Sequence, residues 1–552
     1  MRLATMITAQ GLRNALLIVF VASLLGGMML PVYTDEIGWR LQERAALDGV
    51  DKLYSDICGP NTLAVPPWFM WPVRYYSAFW NTAFPDPFYV RLSGVFYALV
   101  WTGLLFALTK TLTSDRDRQI TLQLVGFGLM TMGVMPLLLI WSRPEQPILL
   151  CLTAALLTQA VATRSADRKQ LCAWLASATI LALAVVAFSY HLKAIVLTPV
   201  FVACIILAAK GKRTILPRAI AVAAVCYAGA VSFRYWTERL KCPDDPVSAA
   251  LFAKNNLGFT GLMDGRFLET VQSMLGNIGL TRLVLRTSPE ITPTSLWLLP
   301  GQVDYAVVLS QGLVQLIVWA AILGLGGTFV VPTLWSSVRG TLINGRTVLA
   351  IMLVGAGLAW TAPLLIVNPY EAVFVLPSIM LGLLSAFVHD GGRFLEKALS
   401  FLSRICAMTG IACALSAWII YGPSLAQSFG RSGDIASQRF SVAPFGFHTL
   451  RSEIEATAEL CGIGRPKYQR RLLVDDVTYF MFMESRMPEH EIAVLGTRDN
   501  SIDDPIAYLR SRNSSGIVVG CHLLPADIRA KSVSYGRICC LNLRDENAQP
   551  AE

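Results

Sequence analysis

The chain has 552 residues, 54% of them hydrophobic and only 15% charged, with a formal net charge of +9 and a mean hydropathy of +0.53. It is too apolar for a soluble globular protein. The basic excess is no nucleic-acid footprint either, because many of the Lys and Arg residues sit in short connections between apolar runs, where they report orientation across a bilayer. Nucleic acid is therefore not an expected partner, whereas membrane lipid is.

Arg2 and Arg13 precede an apolar stretch that begins near Asn14. No small-x-small cleavage site stands before Pro31, so the stretch reads as an uncleaved first span. Runs of about 20 apolar residues, the length that crosses a bilayer, recur until about position 421 and then stop. They predict about eleven spans, centred near residues 23, 100, 130, 154, 180, 202, 227, 319, 357, 379 and 412. With the N-terminus inside, the inner connections collect Arg2, Arg13, Lys110, Arg116, Arg118, Arg164, Arg168, Lys169, Lys210, Lys212, Arg213, Arg218, Arg339, Arg346, Arg393, Lys397 and Arg404. The short outer connections hold only Arg143 and Lys193, as the positive-inside rule requires.

The expected fold is a polytopic α-helical membrane protein with a small C-terminal periplasmic α/β domain. Residues 1–421 form the membrane domain, with outer loops over 33–87 and 238–303, and residues 422–552 form the periplasmic domain. The expected location is the bacterial inner (cytoplasmic) membrane. Trp68, Trp71, Tyr75, Tyr76, Phe79 and Trp80 make the first outer loop aromatic, which suits short helices lying among lipid headgroups. In the tail, a polar helix over His448 to Leu460 precedes apolar runs at Leu472–Val474, Ile492–Leu495 and Gly516–Val519, read as strands. Asp475 and Asp476 follow the first of these and read as a solvated turn. Cys58, Cys242, Cys461, Cys521, Cys539 and Cys540 fall outside, where disulfides are permitted; a bridge between Cys58 and Cys242 would tie the two loops, but spacing alone fixes no pairing.

Four polar groups converge on the outer ends of the spans: Asp35-Glu36, Arg143-Pro144-Glu145, His191-Leu192-Lys193 and Asn368-Pro369-Tyr370-Glu371. A carboxylate held at the membrane surface, Asp35 or Glu36, can take the proton of a hydroxyl acceptor as that hydroxyl attacks a sugar carbon. Departure of a lipid phosphate is helped by fixed cations, for which Arg143, His191 and Lys193 are the candidates. Glu145, Tyr370 and Glu371 are candidates for substrate binding. Each group also has a plainer reading. The acids can be ordinary surface charges, Lys193 can snorkel, Arg143 can pair with Glu145, and Tyr370 can be an interface tyrosine.

In this order and on this face, the residues resemble GT-C type membrane glycosyltransferases, particularly the bacterial branch related to protein O-mannosyltransferases and the aminoarabinose transferase of lipid A. Asp35-Glu36 is similar to the family's acidic motif after span one, and Pro66-Pro67-Trp68 to its double-proline motif. Arg91-Leu92-Ser93 resembles the start of its second span, Arg143-Pro144-Glu145 an Arg-Pro-Glu element after span three, and Tyr370 with Leu376-Pro377 a late aromatic-to-Leu-Pro segment. The resemblance covers roughly residues 14 to 420. It implies transfer of a sugar from a polyprenyl-phosphate donor to a lipid, glycan or protein acceptor, with Asp35 as base or acceptor-positioning carboxylate, Glu36 assisting, and inversion at the anomeric carbon. Val65 stands where many bacterial members carry Lys before the double proline, so Lys193 or Arg143 would have to supply that cation.

A lipid or lipid-linked-sugar flippase is the main alternative, although the middles of the apolar runs carry essentially none of the ionisable residues that ion-coupled transport buries there. An anchored scaffold is a third. No cofactor is required by the sequence, and an acidic pair can hold a divalent cation or act without one. Sugar and acceptor are left open.

Overall fold

A computed structural model describes residues 8–33, 36–37, 40, 65–83, 86–133, 135–164, 169–208, 214–240, 265–276, 345–361, 371–386, 393–430, 446–463, 471–483, 487, 494–495 and 502–544. Asp35, Tyr370, the span expected near residue 319, most of both outer loops, and Cys58 with Cys242 lie outside these residues.

The described chain is mostly helical: α1 (Ala9–Gly27), α2 (Trp71–Ala83), α3 (Leu92–Leu112), α4 (Arg116–Met130), α5 (Glu145–Arg164), α6 (Lys169–Tyr190), α7 (Thr198–Ala208), α8 (Ile215–Leu240), α9 (Phe267–Gly276), α10 (Gly345–Ala359), α11 (Ala372–Ala386) and α12 (Arg393–Gly430). Among the described residues, 6 helices are long and apolar enough to cross a bilayer, and shorter apolar helices cover Leu192–Ala208, Thr347–Ala359 and Val373–Ala386. The span expected near residue 130 is not a straight rod. Its helix stops at Met130 and the chain turns through Gly133, at φ +52°, into a single turn over Met135–Leu138, because Gly133 adopts the left-handed conformation and Pro136 has no N–H to continue the ladder.

Side-chain contacts fix the direction of each helix. At one end of the bundle Arg13 donates to Gln123, Gln123 to Thr109 and Arg116 to Gln10. At that same end of their own helices, Thr163 and Arg218 reach the carbonyls of Leu207 and Ile206. At the other end Trp418 donates to Ser23 and Trp236 to the Phe188 carbonyl. Thus α1, α4, α6, α8, α10 and α12 run toward the second end, while α3, α5, α7 and α11 run away from it. Helices α4 and α12 approach closely through small residues: a Cβ on Gly410 would lie 2.4 Å from the Gly128 carbonyl oxygen. Such contacts replace the hydrophobic drive that is missing between helices in lipid.

Helix α12 continues to Gly430, so the change of composition near residue 421 is no break in secondary structure. Beyond it, α13 (Phe447–Leu460), β1 (Leu472–Val474), α14 (Pro505–Ser511), β2 (Gly516–Gly520), α15 (Ala526–Lys531), β3 (Val533–Tyr535) and β4 (Ile538–Asn542) build a sheet of order β1-β2-β4-β3. β1 and β2 are parallel; β4 is antiparallel to β2 and to β3. The pleat sends alternate residues to two cores. Leu472, Val474, Val518 and Cys540 face α13, while Leu473, Ile517, Val519 and Cys539 face the opposite layer.

Cys539 and Cys540 therefore bridge on opposite faces, to Cys521 and Cys461 respectively. The expected strand over Ile492–Leu495 is corrected: Val494 and Leu495 sit in a helical turn and pack beside Leu473. Asp475 and Asp476 do not form a solvated turn. Both are buried, and Asp475 accepts from the backbones of Val477, Thr478 and Gly520, which locks the end of β1 to the end of β2.

Candidate functional site

The site lies at the second end of the bundle and begins with an unfinished helix. The last carbonyls of a helix have no intrahelical donors. Here Gly27 O at the end of α1, and Leu30 O and Pro31 O in the strip that follows it, accept from the Arg91 guanidinium at 2.6, 3.0 and 2.8 Å. Asp86 caps the 3-10 turn Pro87–Tyr89, which delivers Arg91 to the start of α3. A cation at a helix C-terminus is also favoured by the helix dipole.

The same guanidinium holds Glu36, Nη2 to Oε2, at 2.8 Å. Glu36 is 0% exposed, and its carboxylate also accepts from the backbone N–H groups of Tyr33 (3.0 Å) and Ser142 (3.2 Å). Glu36 is thus a fully bonded counter-ion rather than an acid displayed at the surface, and its lone pairs are committed. Tyr33 stacks on Trp141 with centroids 4.4 Å apart, so the strip after α1 is fastened to residues 141–142 twice. A Cβ on Gly94 would fall 1.9 Å from the Ile140 carbonyl oxygen, which is why the segment leading into residues 141–142 can lie against the first turn of α3 at all.

A second set of charges adjoins the first. Arg143 pairs with Glu145 at 3.2 Å across Pro144, and Glu145 lies within electrostatic reach of Lys193 and His191. Lys193 pairs with Glu371, 178 positions away, at 2.6 Å. The other Glu371 oxygen accepts from Trp360 Nε1 at 2.9 Å. Trp360 stacks on Phe374 at 3.8 Å, and the Lys193 ammonium lies over its ring at 5.7 Å. His191 Nδ1 accepts the Lys193 backbone N–H at 3.0 Å, and its ring lies between those of Trp236 and Trp360.

Between α2, α3, residues 142–147 and the end of α6 lies a polar cleft of about 40 Å³, lined by Arg40, Ser93, Tyr97, Ser142, Arg143, Gln146 and Tyr190 among others. Helix α2 closes it with Ser77 and Trp80. Arg74 on the same helix donates to the Tyr235 hydroxyl and lies over the rings of Tyr235 and Trp236. The opposite face of this segment shows Trp68, Tyr75 and Phe79 to the surroundings at 82, 63 and 57% exposure, the amphipathic form expected of an interfacial helix.

Of the residues singled out from the sequence, Glu36, Arg143, Glu145, His191, Lys193 and Glu371 come together here, while Asp35 and Tyr370 lie outside the described residues. Sequence reading missed Arg40, Tyr97, Gln146, Tyr190 and Trp360, and saw in Arg91 only the start of a span. A cation opening an apolar run is itself a signal, because intramembrane charges are costly and are kept where they are partnered. For Trp360 there was no signal. Among the described residues no group of three His, Cys, Asp or Glu side chains could hold a metal ion.

No protein-family model matches the chain, and no curated protein does. Among solved structures it is similar to ArnT from Cupriavidus metallidurans in the apo state, at TM-score 0.45 and 11% identity over 97% of each chain. It is also similar to the archaeal oligosaccharyltransferase AglB from Archaeoglobus fulgidus in complex with an inhibitory peptide and a dolichol-phosphate, at TM-score 0.44 and 10% identity over 92% of this chain and 69% of that one.

Proposed function

We propose that this chain is a membrane glycosyltransferase that moves a sugar from a polyprenyl-phosphate donor to a lipid, glycan or protein acceptor at the outer face of the bacterial inner membrane. The observation that carries the reading is the gathering of buried, mutually bonded charges from distant segments at one end of an apolar bundle: Glu36 with Arg91, Arg143 with Glu145, and Lys193 with Glu371. A lipid carrier presents its phosphate and sugar at that depth, near the headgroups, whereas an ion-coupled carrier needs its charges near the midplane.

Two features support the orientation. Arg13, Lys110, Arg116, Arg118, Arg164 and Arg218 belong to the opposite end of their helices, as cytoplasmic residues should. The disulfide-bonded module follows α12 at the site end, which suits an oxidising compartment. The eleven-span count belongs to the same reading. Helices α8 and α10 both run toward the site, which supports a returning span between them, and the apolar run near residue 319 is the candidate for it.

In the proposed reaction Asp35 takes the proton of the acceptor hydroxyl while its oxygen bonds to the anomeric carbon. The bond from that carbon to the phosphate oxygen breaks, its electron pair leaves with the lipid phosphate, and a single displacement inverts the centre. Arg143, His191 and Lys193 face the charge growing on the phosphate, with Glu145, Tyr370 and Glu371 toward the substrate. Glu36, already bonded on both oxygens, positions the strip that carries it and takes no proton.

The test is reconstitution of the protein with radiolabelled polyprenyl-phosphate hexose, pentose and uronic-acid donors and a membrane glycolipid extract, comparing wild type with Asp35→Asn for release of lipid phosphate. Turnover that is lost in the variant is expected. No turnover with any donor, with labelled lipid still crossing the bilayer, would replace this reading with a flippase.

A further inference from the structure

The chain leaves α6 at Tyr190, passes through one extended residue, His191 at φ −159° and ψ 146°, and re-enters a short 3-10 helix over Leu192–Leu197. The first N–H groups of such a turn have no partner within it. His191 supplies one, because its Nδ1 accepts the Lys193 N–H at 3.0 Å, while its carbonyl accepts from Ala194 at 3.1 Å. Lys193 is 6% exposed, so water is a poor substitute for that acceptor. The residue is thus pinned at both ends, its backbone by His191 and its ammonium by Glu371 at 2.6 Å.

The same contact fixes the state of the imidazole. A ring nitrogen that accepts an N–H carries no hydrogen of its own, so the proton of His191 sits on Nε2. An imidazolium has a hydrogen on both nitrogens and would set two donors face to face. The surroundings agree with the neutral ring. It lies between Trp236 of α8 and Trp360 at the end of α10, with centroids 6.4 and 6.5 Å away. Desolvation there and the Lys193 ammonium push the imidazole down to about 3, against the pull of Glu145 and with the help of Arg143. Arg74 of α2, over the Trp236 ring, is one more cation nearby, and Glu371, just before α11, is taken up by Lys193 and Trp360.

We propose that His191 is a positioning residue that works uncharged: through Nδ1 it caps the turn that presents the Lys193 ammonium to the donor phosphate, so that the fixed cations of the site are Lys193 and Arg143. This rests on the reading of the site as a polyprenyl-phosphate sugar site. Without the cap, the Lys193 N–H is left unmet and the ammonium loses the backbone direction that aims it.

The experiment measures binding and the ionisation of the ring rather than turnover. Wild type, His191→Asn, His191→Leu and His191→Lys, each in nanodiscs, are titrated with short-chain polyprenyl-phosphate hexoses and pentoses, phosphodiesters that keep one charge across the working range. His191→Asn should bind like wild type, since its side-chain oxygen takes the place of Nδ1 as the cap. His191→Leu should bind roughly tenfold more weakly. His191→Lys restores a charge but no acceptor and should be as weak as His191→Leu. In nitrogen-15 spectra of histidine-labelled wild type, the ring signals that vanish in His191→Asn should report the Nε2–H tautomer at about pH 5 and pH 8 alike. Four outcomes overturn the proposal: an imidazolium that loses its proton near the ordinary histidine value of about 6.5; binding kept by His191→Lys and lost by His191→Asn, as a cation at this position requires; His191→Leu equal to wild type; or wild type binding no probe. Should His191→Leu not fold, the wild-type spectra and the contrast between His191→Asn and His191→Lys decide the matter by the same criteria. A transfer assay on the same preparations separates the two readings, since these binding ratios without transfer sink the transferase and leave the role of His191 standing.

Discussion

Arg91 and Glu36, 55 positions apart in the chain, form an ion pair at 2.8 Å in which neither side chain is more than 2% exposed. The pair ends α1 and starts α3 in one contact, and it anchors the neighbour of the proposed catalytic Asp35. Replacing Arg91 by Met would leave the buried Glu36 carboxylate without its counter-ion and strip a donor from three backbone carbonyls. Breaking a buried pair from one side costs about 3–5 kcal/mol, so thermal unfolding in detergent should shift down by several degrees. Arg91→Lys should recover only part of this, because an ammonium cannot spread over the carboxylate and the helix end together. An unchanged unfolding temperature for Arg91→Met would refute the structural role.

Lys193 serves Glu371, and in the proposed reaction it also faces the donor phosphate; a double substitution separates the two duties. Lys193→Met alone should destabilise by about 3 kcal/mol by stranding Glu371, and Lys193→Met with Glu371→Leu should cost clearly less. If Lys193 meets the phosphate, the double variant regains stability but not transfer. Recovery of both would confine Lys193 to structure.

The C-terminal module shares a core with the membrane part. Val32, Ile37 and Val90 are buried with Phe447, Leu450, Ile454 and Val518, and Val32 and Ile37 flank Asp35 and Glu36 in the chain. Ile37→Asp should therefore lower transfer at least tenfold while leaving the two disulfides of the module intact by mass spectrometry. Losing the Cys461–Cys540 bridge, which spans 79 positions, should cost about 2–5 kcal/mol of module stability, measured as increased proteolysis of Cys461→Ser with Cys540→Ser.

Trp68, Tyr75 and Phe79 stand exposed on the face of the α2 segment that turns away from the cleft. If that face lies among headgroups, brominated lipids should quench tryptophan emission less in Trp68→Ser than in wild type. Equal quenching would place this face in water instead.

Gly94 admits no side chain, because a Cβ there would meet the Ile140 carbonyl at 1.9 Å. Gly94→Ala should cost roughly 1–3 kcal/mol by overpacking, seen as a lower unfolding temperature with the bundle's helical circular dichroism retained.

Much of this was legible in the residues themselves. Hydropathy is a local sum, so the apolar runs around α3, α5, α6, α8 and α12 declared themselves, and Leu472–Val474 and Gly516–Val519 read as strands by composition alone. The hairpin of β3 and β4 was missed although Gly536, at φ +61°, occupies its two-residue turn, because its outer strand is too short and too exposed to show an apolar pattern.

By itself the sequence determined that the chain belongs in a bilayer, where its main apolar runs lie, and that its polar groups gather at the ends of those runs. Only the tertiary structure decided which charge meets which across the chain: that Glu36 belongs to Arg91 and Lys193 to Glu371. The physical reason is range. Transfer into lipid is set residue by residue, whereas the partner of a buried charge is set by helix packing that brings together positions up to 178 residues apart, and no local pattern carries that distance.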